Sequence, residues 1–172
     1  MDQLTIGIIG AGYIGREHAR ALRLVAPMFG GRLRLAAIAD QNEEAAKKAA
    51  AMFEIPKATT DVNSVIDDPE INVIFSCLPT KFHIDVIRRA AAKGKAVFCE
   101  KPFAVSVEQA EEVHKILTSN NTPHQVGFVL RYAPTYHALK KVMAKQAEGS
   151  KLRTVILRDD QVFPIKGISH FT

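Results

Sequence analysis

Gly10, Gly12 and Gly15 form a Gly-x-Gly-x-x-Gly run directly after a short apolar stretch, and that spacing can hold the pyrophosphate of a dinucleotide. The first glycine permits a tight turn, the second lets backbone approach the phosphates, and the third allows a helix to pack closely on the preceding strand. The helix that begins there offers free N–H groups and the positive end of its dipole to the phosphates. An acid is needed further on, and Asp40 ends the next apolar run. Its carboxylate could accept both hydrogen bonds from the adenosine ribose diol and would repel a 2′-phosphate. Gln41 and Asn42 follow with no cation to hold such a phosphate, so NAD is expected ahead of NADP. Asp40 could also cap a helix starting at Glu43, and the two roles are compatible.

These residues must be positioned by strands and helices in alternation. Residues 4–9 read as a strand, followed by a helix with Ile14, His18, Leu22 and Val25 at helical spacing up to Pro27. Residues 33–39 are a second strand and 43–52 an alanine-rich helix ended before Pro56. A short helix is expected at 62–66, and 73–78 is an apolar run of the kind buried on both sides of a parallel sheet. The pattern continues with a helix at 82–93, a strand at 96–99, a helix to Leu117 capped by Ser106, and a last sheet strand at 125–129. Pro134 opens a helix to about Ala147, and 152–158 reads as a further strand. The expected fold is α/β, a Rossmann-type doubly wound parallel sheet. Residues 1–130 would form the cofactor-binding domain, and 131–172 the truncated start of an α+β substrate domain.

Composition agrees with a globular chain of this kind. The 172 residues suffice for about one domain, with 47% hydrophobic and 24% charged residues. A formal charge of +5 is dispersed among acids, which argues against a nucleic-acid stripe. No run of about 18 apolar residues could span a membrane, Met1-Asp2-Gln3 lacks the basic start of a signal peptide, and the cytoplasm is the default expectation. Cys77 and Cys99 each end an apolar run outside any Cys/His cluster and read as buried, reduced thiols. No metal site is suggested by any spacing.

Several segments together carry a family resemblance. Gly10 to Gly15, Ile38-Ala39-Asp40, Cys77-Leu78-Pro79-Thr80-Lys81-Phe82-His83, Glu100-Lys101-Pro102-Phe103-Ala104 and Gly127-Phe128-Val129-Leu130-Arg131-Tyr132-Ala133-Pro134 stand in the order and approximate spacing of one family. The chain resembles the Gfo/Idh/MocA family, the glucose-fructose oxidoreductase and inositol dehydrogenase relatives, and Glu-Lys-Pro is the most diagnostic part. The resemblance implies that Lys101 hydrogen-bonds the reacting hydroxyl or carbonyl of a sugar or polyol; an ammonium there stabilises negative charge developing on oxygen. It also implies that Pro102, often through a cis bond, fixes the lysine's exit angle, and that Glu100 lies beside the nicotinamide ribose. Cofactor contacts are implied for Gly10, Gly12, Tyr13, Ile14, Gly15, Asp40, Leu78, Pro79, His83, Glu100, Lys101 and Arg131. A role in capping or packing competes for His83, and packing on Tyr132 competes for Arg131. His18 reads as a packed or surface histidine, not a ligand.

Family enzymes carry a second constellation, commonly an aspartate and a histidine, in the substrate domain, and this chain ends at Thr172 before it. Asp159-Asp160 and Ser169-His170 are not obvious substitutes. The leading expectation is the N-terminal part of an NAD-dependent oxidoreductase, a homo-oligomer when complete. A stand-alone NAD-binding sensor or regulatory module is the alternative. A methyltransferase using the glycine turn is disfavoured by Glu100-Lys101-Pro102 and Asp40.

Overall fold

The computed structural model describes residues 3–146; the expected strand at 152–158, the Asp159-Asp160 and Ser169-His170 pairs and the end of the last helix lie outside them. The chain divides at Gly127 into two compact units. In the first, six strands form one sheet: β1 (Leu4–Ile9), β2 (Leu33–Ala39), β3 (Lys57–Thr59), β4 (Val73–Ser76), β5 (Ala96–Cys99) and β6 (His124–Val126). Their order is β3-β2-β1-β4-β5-β6, and every neighbouring pair is parallel. This is the doubly wound Rossmann arrangement, with its switch point between β1 and β4.

Apolar side chains alternate along the strands into two separate cores, one on each sheet face. Ile6, Ile8, Leu33, Leu35, Ile38 and Cys77 pack with Ala19 of α1 (Tyr13–Val25) and with Ala49, Ala50 and Phe53 of α2 (Glu43–Phe53). Ile9, Ala37, Ala39, Ile74, Val97 and Cys99 pack with α3 (Asn63–Ile66), α4 (His83–Ala92) and α5 (Val107–Ser119). Strands covered on both faces need apolar residues at consecutive positions, as residues 4–9 and 73–76 have.

One irregularity decides where an important side chain goes. Ile6 pairs with Leu35 but Gly7 pairs with Ala37, so Ala36 is one residue extra in β2. This bulge reverses the alternation: Leu33 and Leu35 face α1 and α2, while Ala37 and Ala39 face the opposite core. Ile38 therefore lies on the α1 side, and Asp40, two residues on, follows it there.

Most elements match the sequence-based reading. The residue capping α2 is Asn42, whose side chain accepts from the Ala45 N–H; Asp40 does not take that role. Ser106 caps α5 through the Gln109 N–H, as expected. β3 went unpredicted because Lys-Ala-Thr carries no apolar run. The last sheet strand is shorter than 125–129: it ends at Val126, Gly127 backs onto Glu100, and a 3-10 turn begins at Val129. In the second unit that turn leads into α6 (Pro134–Gln146). Among the described residues no helix is long and apolar enough to cross a membrane, and no group of His, Cys, Asp and Glu could hold a metal ion.

Candidate functional site

The carboxyl ends of β1, β2, β4 and β5 converge around the switch point, and hydrogen bonds between their exit loops fix them together. The Gly10 N–H donates to Ala39 O at 2.7 Å, the Cys77 N–H to Ile9 O at 2.8 Å, and the Glu100 N–H to Ser76 O at 3.0 Å. Gly10 has φ +104°, and a β-carbon there would lie 2.6 Å from the Cys77 carbonyl oxygen, so a side chain is excluded twice over. On Gly15 a β-carbon would run into the Gly10 carbonyl, which is how closely α1 packs on the turn.

Gly12 differs from both. It is the N-cap of α1 with no side-chain cap, and a β-carbon added to it would meet nothing within 4 Å. A side chain would protrude into the open space in front of the helix, where the N–H groups of Tyr13, Ile14 and Gly15 have no carbonyl a turn earlier to bond. Tyr13 and Ile14 are exposed beside that space, and the first turn holds no acid. Arg16 folds back over the turn, its Nη1 3.3 Å from Ala11 O. A bare helix start, free N–H groups and a nearby cation suit a pyrophosphate.

Asp40 joins this turn to the next loop. Its Oδ2 accepts the Ala11 N–H at 2.7 Å and its Oδ1 accepts the Asn42 N–H at 2.9 Å. Each oxygen of an ionised carboxylate has about two acceptor positions, so both retain one for a vicinal diol. The pair of acceptors therefore fits a dinucleotide with a free ribose 2′-hydroxyl.

Glu100 ends β5. It is buried, with 6% of its surface exposed. Its Oε1 lies 2.8 Å from Nε2 of His18 on α1, and its Oε2 accepts the Lys101 N–H at 3.1 Å. Burial pushes its carboxyl pKa up, but the hydrogen bonds and charges of His18 and Lys101 outweigh burial and hold it below the ordinary glutamate value. Lys101 itself is exposed, and the Lys101–Pro102 peptide bond is cis. His18 is the residue that sequence reasoning undervalued. Its place three residues after Gly15 puts it on the sheet-facing side of α1, a signal available beforehand.

Of the other expected cofactor residues, Pro79 is exposed and Leu78 half-buried at the end of β4. His83 turns the other way. A 3-10 turn at Thr80–Phe82 carries the chain outward, and His83 then points into the core, 1% exposed, with Nδ1 2.8 Å from Ser76 Oγ. It braces the junction of β4 and α4 and has no surface to offer a ligand. Burial, partly opposed by the Glu100 charge, pushes its pKa down to about 4. Unfolded histidine takes a proton near the ordinary value of 6.5, so its contribution is complete above that pH and is lost as pH falls toward 4. The expected loss is on the order of 3 kcal/mol over that window. His83→Asn should flatten the dependence of the thermal midpoint on pH there; an unchanged slope would assign it to other groups.

Cys77 and Cys99 are buried and unpaired. Burial, then the Glu100 charge, pushes the Cys99 thiol up to about 12 and the Cys77 thiol higher still, so neither is a nucleophile at neutral pH. Arg131 stands exposed in the second unit, its guanidinium 5.2 Å over the ring of Phe128 and not of Tyr132.

Comparison with known proteins bears on this geometry. Residues 4–128 match the GFO_IDH_MocA family model, described as an oxidoreductase family with an NAD-binding Rossmann fold. Levoglucosan dehydrogenase of Pseudarthrobacter phenanthrenivorans is 32% identical over 98% of this chain and 45% of its own length. Inositol 2-dehydrogenase of Rhizobium meliloti is 32% identical over 94% of this chain and 47% of its own length. A solved levoglucosan dehydrogenase in complex with NADH and levoglucosan superposes with a TM-score of 0.77 at 33% identity, covering 86% of this chain and 41% of that one. The chain thus spans less than half the length of these relatives.

Proposed function

This chain belongs to the Gfo/Idh/MocA oxidoreductase family, and from that premise we propose that it is the cofactor-binding part of an NAD-dependent dehydrogenase acting on a hydroxyl or carbonyl carbon of a sugar, polyol or related compound. The observation that carries this reading is the convergence of three groups at the carboxyl ends of the sheet strands: the bare start of α1 at Gly12, the shared carboxylate of Asp40, and exposed Lys101 rooted in buried Glu100. Bound there, NAD supplies nicotinamide C4 as hydride acceptor or donor.

The N–H groups of Tyr13, Ile14 and Gly15 bind the pyrophosphate, with Arg16 beside them, and Asp40 accepts the adenosine ribose hydroxyls. Leu78 and Pro79 line the middle of the cofactor's path. Lys101 directs its ammonium at the substrate oxygen, holds it in place and stabilises the negative charge that this oxygen carries in the alkoxide-like transition state. Residues 1–130 serve as the cofactor domain and 131–172, with Arg131, as the start of a substrate and oligomerisation domain, a division supported by the break in compactness at Gly127. A homo-oligomer is the assembly expected of the complete protein, to be checked by light scattering. The free thiols fit a reducing compartment such as the cytoplasm.

Calorimetric titration tests the cofactor assignment. NAD should bind at least about tenfold more tightly than NADP, a difference of about 1.4 kcal/mol, and equal or tighter NADP binding would overturn it. Asp40→Ala should weaken NAD binding by about tenfold or more and also lower stability by about 1–3 kcal/mol. The second effect arises because the N–H of fully buried Ala11 is left without its acceptor.

A further inference from the structure

We infer that His18 is a positioning residue for Lys101, acting through Glu100, whose carboxylate is committed to the protein before any ligand arrives. The inference rests on the role proposed for Lys101 and extends it to a side chain on another element. Alternation along β5 places Phe98 and Glu100 on the face covered by α1, and the parallel register sets Phe98 beside Phe75 of β4. Those two rings stack at 4.6 Å, and the His18 imidazole stands edge-on to both, at 5.6 Å from Phe75 and 4.9 Å from Phe98. The aromatic pair therefore fixes the plane of the imidazole, and the imidazole fixes Oε1 of Glu100 at 2.8 Å.

Glu100 is closed in on its remaining sides. A β-carbon on Gly127 would lie 2.8 Å from Oε1, and Oε2 takes the Lys101 N–H. That N–H is one bond from the lysine's Cα, so holding it sets the direction in which the side chain leaves the strand. The charged or titratable groups that act on the carboxylate or feel its field are His18 from α1, Lys101 from the same loop, Cys77 after β4, Cys99 of β5 and His83 of α4. Packing alone does not explain the arrangement: a buried carboxylate paired with a half-buried imidazole stabilises a core no better than apolar groups of the same volume. The chain of contacts ends instead at the root of the one exposed ammonium of the Glu-Lys-Pro segment.

Two variants separate positioning from packing. His18→Phe fills the space beside Phe75 and Phe98 but cannot donate to Glu100, whereas His18→Gln keeps a donor at a similar reach. In ¹⁵N-resolved NMR of the chain, His18→Phe should move the Lys101 amide resonance and the resonance of its ¹³C-dimethylated ε-amine, and His18→Gln should restore both. In the full-length enzyme that carries this part, turnover should fall about tenfold in His18→Phe with NAD affinity unchanged within about twofold, and recover to within about threefold of the parent in His18→Gln. Glu100→Gln, which keeps the shape, should shift the same Lys101 resonances and serves if His18→Phe does not fold. Lys101 resonances unmoved in His18→Phe and Glu100→Gln would overturn the inference, as would equal shifts in His18→Phe and His18→Gln. Because the resonances are read without substrate, a failure of the dehydrogenase reading, seen as turnover insensitive to Lys101, is distinguishable from a failure of this one.

Discussion

Gly15→Ala is expected to lower the thermal midpoint by roughly 10 °C, from a loss of about 3 kcal/mol, and to abolish NAD binding with it. The added methyl meets the carbonyl of Gly10, a backbone atom that cannot rotate aside. That carbonyl belongs to a turn pinned by the Gly10 N–H to Ala39 and pressed against Cys77, so relief requires α1 to lift off the sheet and its contacts through Ala19 to open. Gly12→Ala is the control that gives this its meaning. Its methyl enters open space, so the midpoint should stay within about 2 °C of the parent while NAD affinity falls by about tenfold or more, because the methyl stands where the phosphates approach. Thermal denaturation with calorimetry on the two variants decides the matter. If Gly12→Ala bound NAD like the parent, the phosphates would not lie against the start of α1.

Lys101→Ala carries the second large effect. In the full-length enzyme that carries this part, with a sugar or polyol substrate, turnover followed by NADH absorbance should fall about 10²–10³-fold, the size found when a donor to a developing oxyanion is removed. NAD affinity should change little, because the assigned cofactor anchors, the start of α1 and Asp40, are left intact. Lys101→Arg keeps the charge but replaces a compact ammonium by a planar fork, and partial recovery short of the parent rate is expected. A Lys101→Ala protein with parental kcat would remove the lysine from the reaction and leave only its cofactor neighbourhood.

The sequence made the strands and the glycine turn legible because their physics is local. An apolar run of four to seven residues followed by Gly10 or Asp40 needs no partner to be recognised, and β1 and β2 begin and end where that pattern does. What depends on side chains from distant elements was harder to see. His83 lies in a segment that suggests a ligand loop, yet its orientation is decided by Ser76 on the neighbouring strand. His18 carries no motif of its own, and its meaning comes from Glu100, 82 positions away. Asp40 reads from sequence as a ribose acceptor and a candidate cap for the helix at Glu43, whereas its carboxylate holds the Ala11 and Asn42 amides. β3 is too short and too polar to announce itself, and exists because Ala37 to Ala39 offer it a ladder.

The extra residue at Ala36 has a further consequence, for how this protein can change over time. It works as a frame setting: one residue more or less between Leu33 and Ala39 would exchange the faces of everything that follows in β2 and send the Asp40 carboxylate to the wrong side of the sheet. Substitutions among small apolar residues here are tolerable, since Ala37 and Ala39 ask only for modest volume. Insertions and deletions are not. The stretch that aims the ribose-binding acid is therefore constrained in its length more strictly than in its letters.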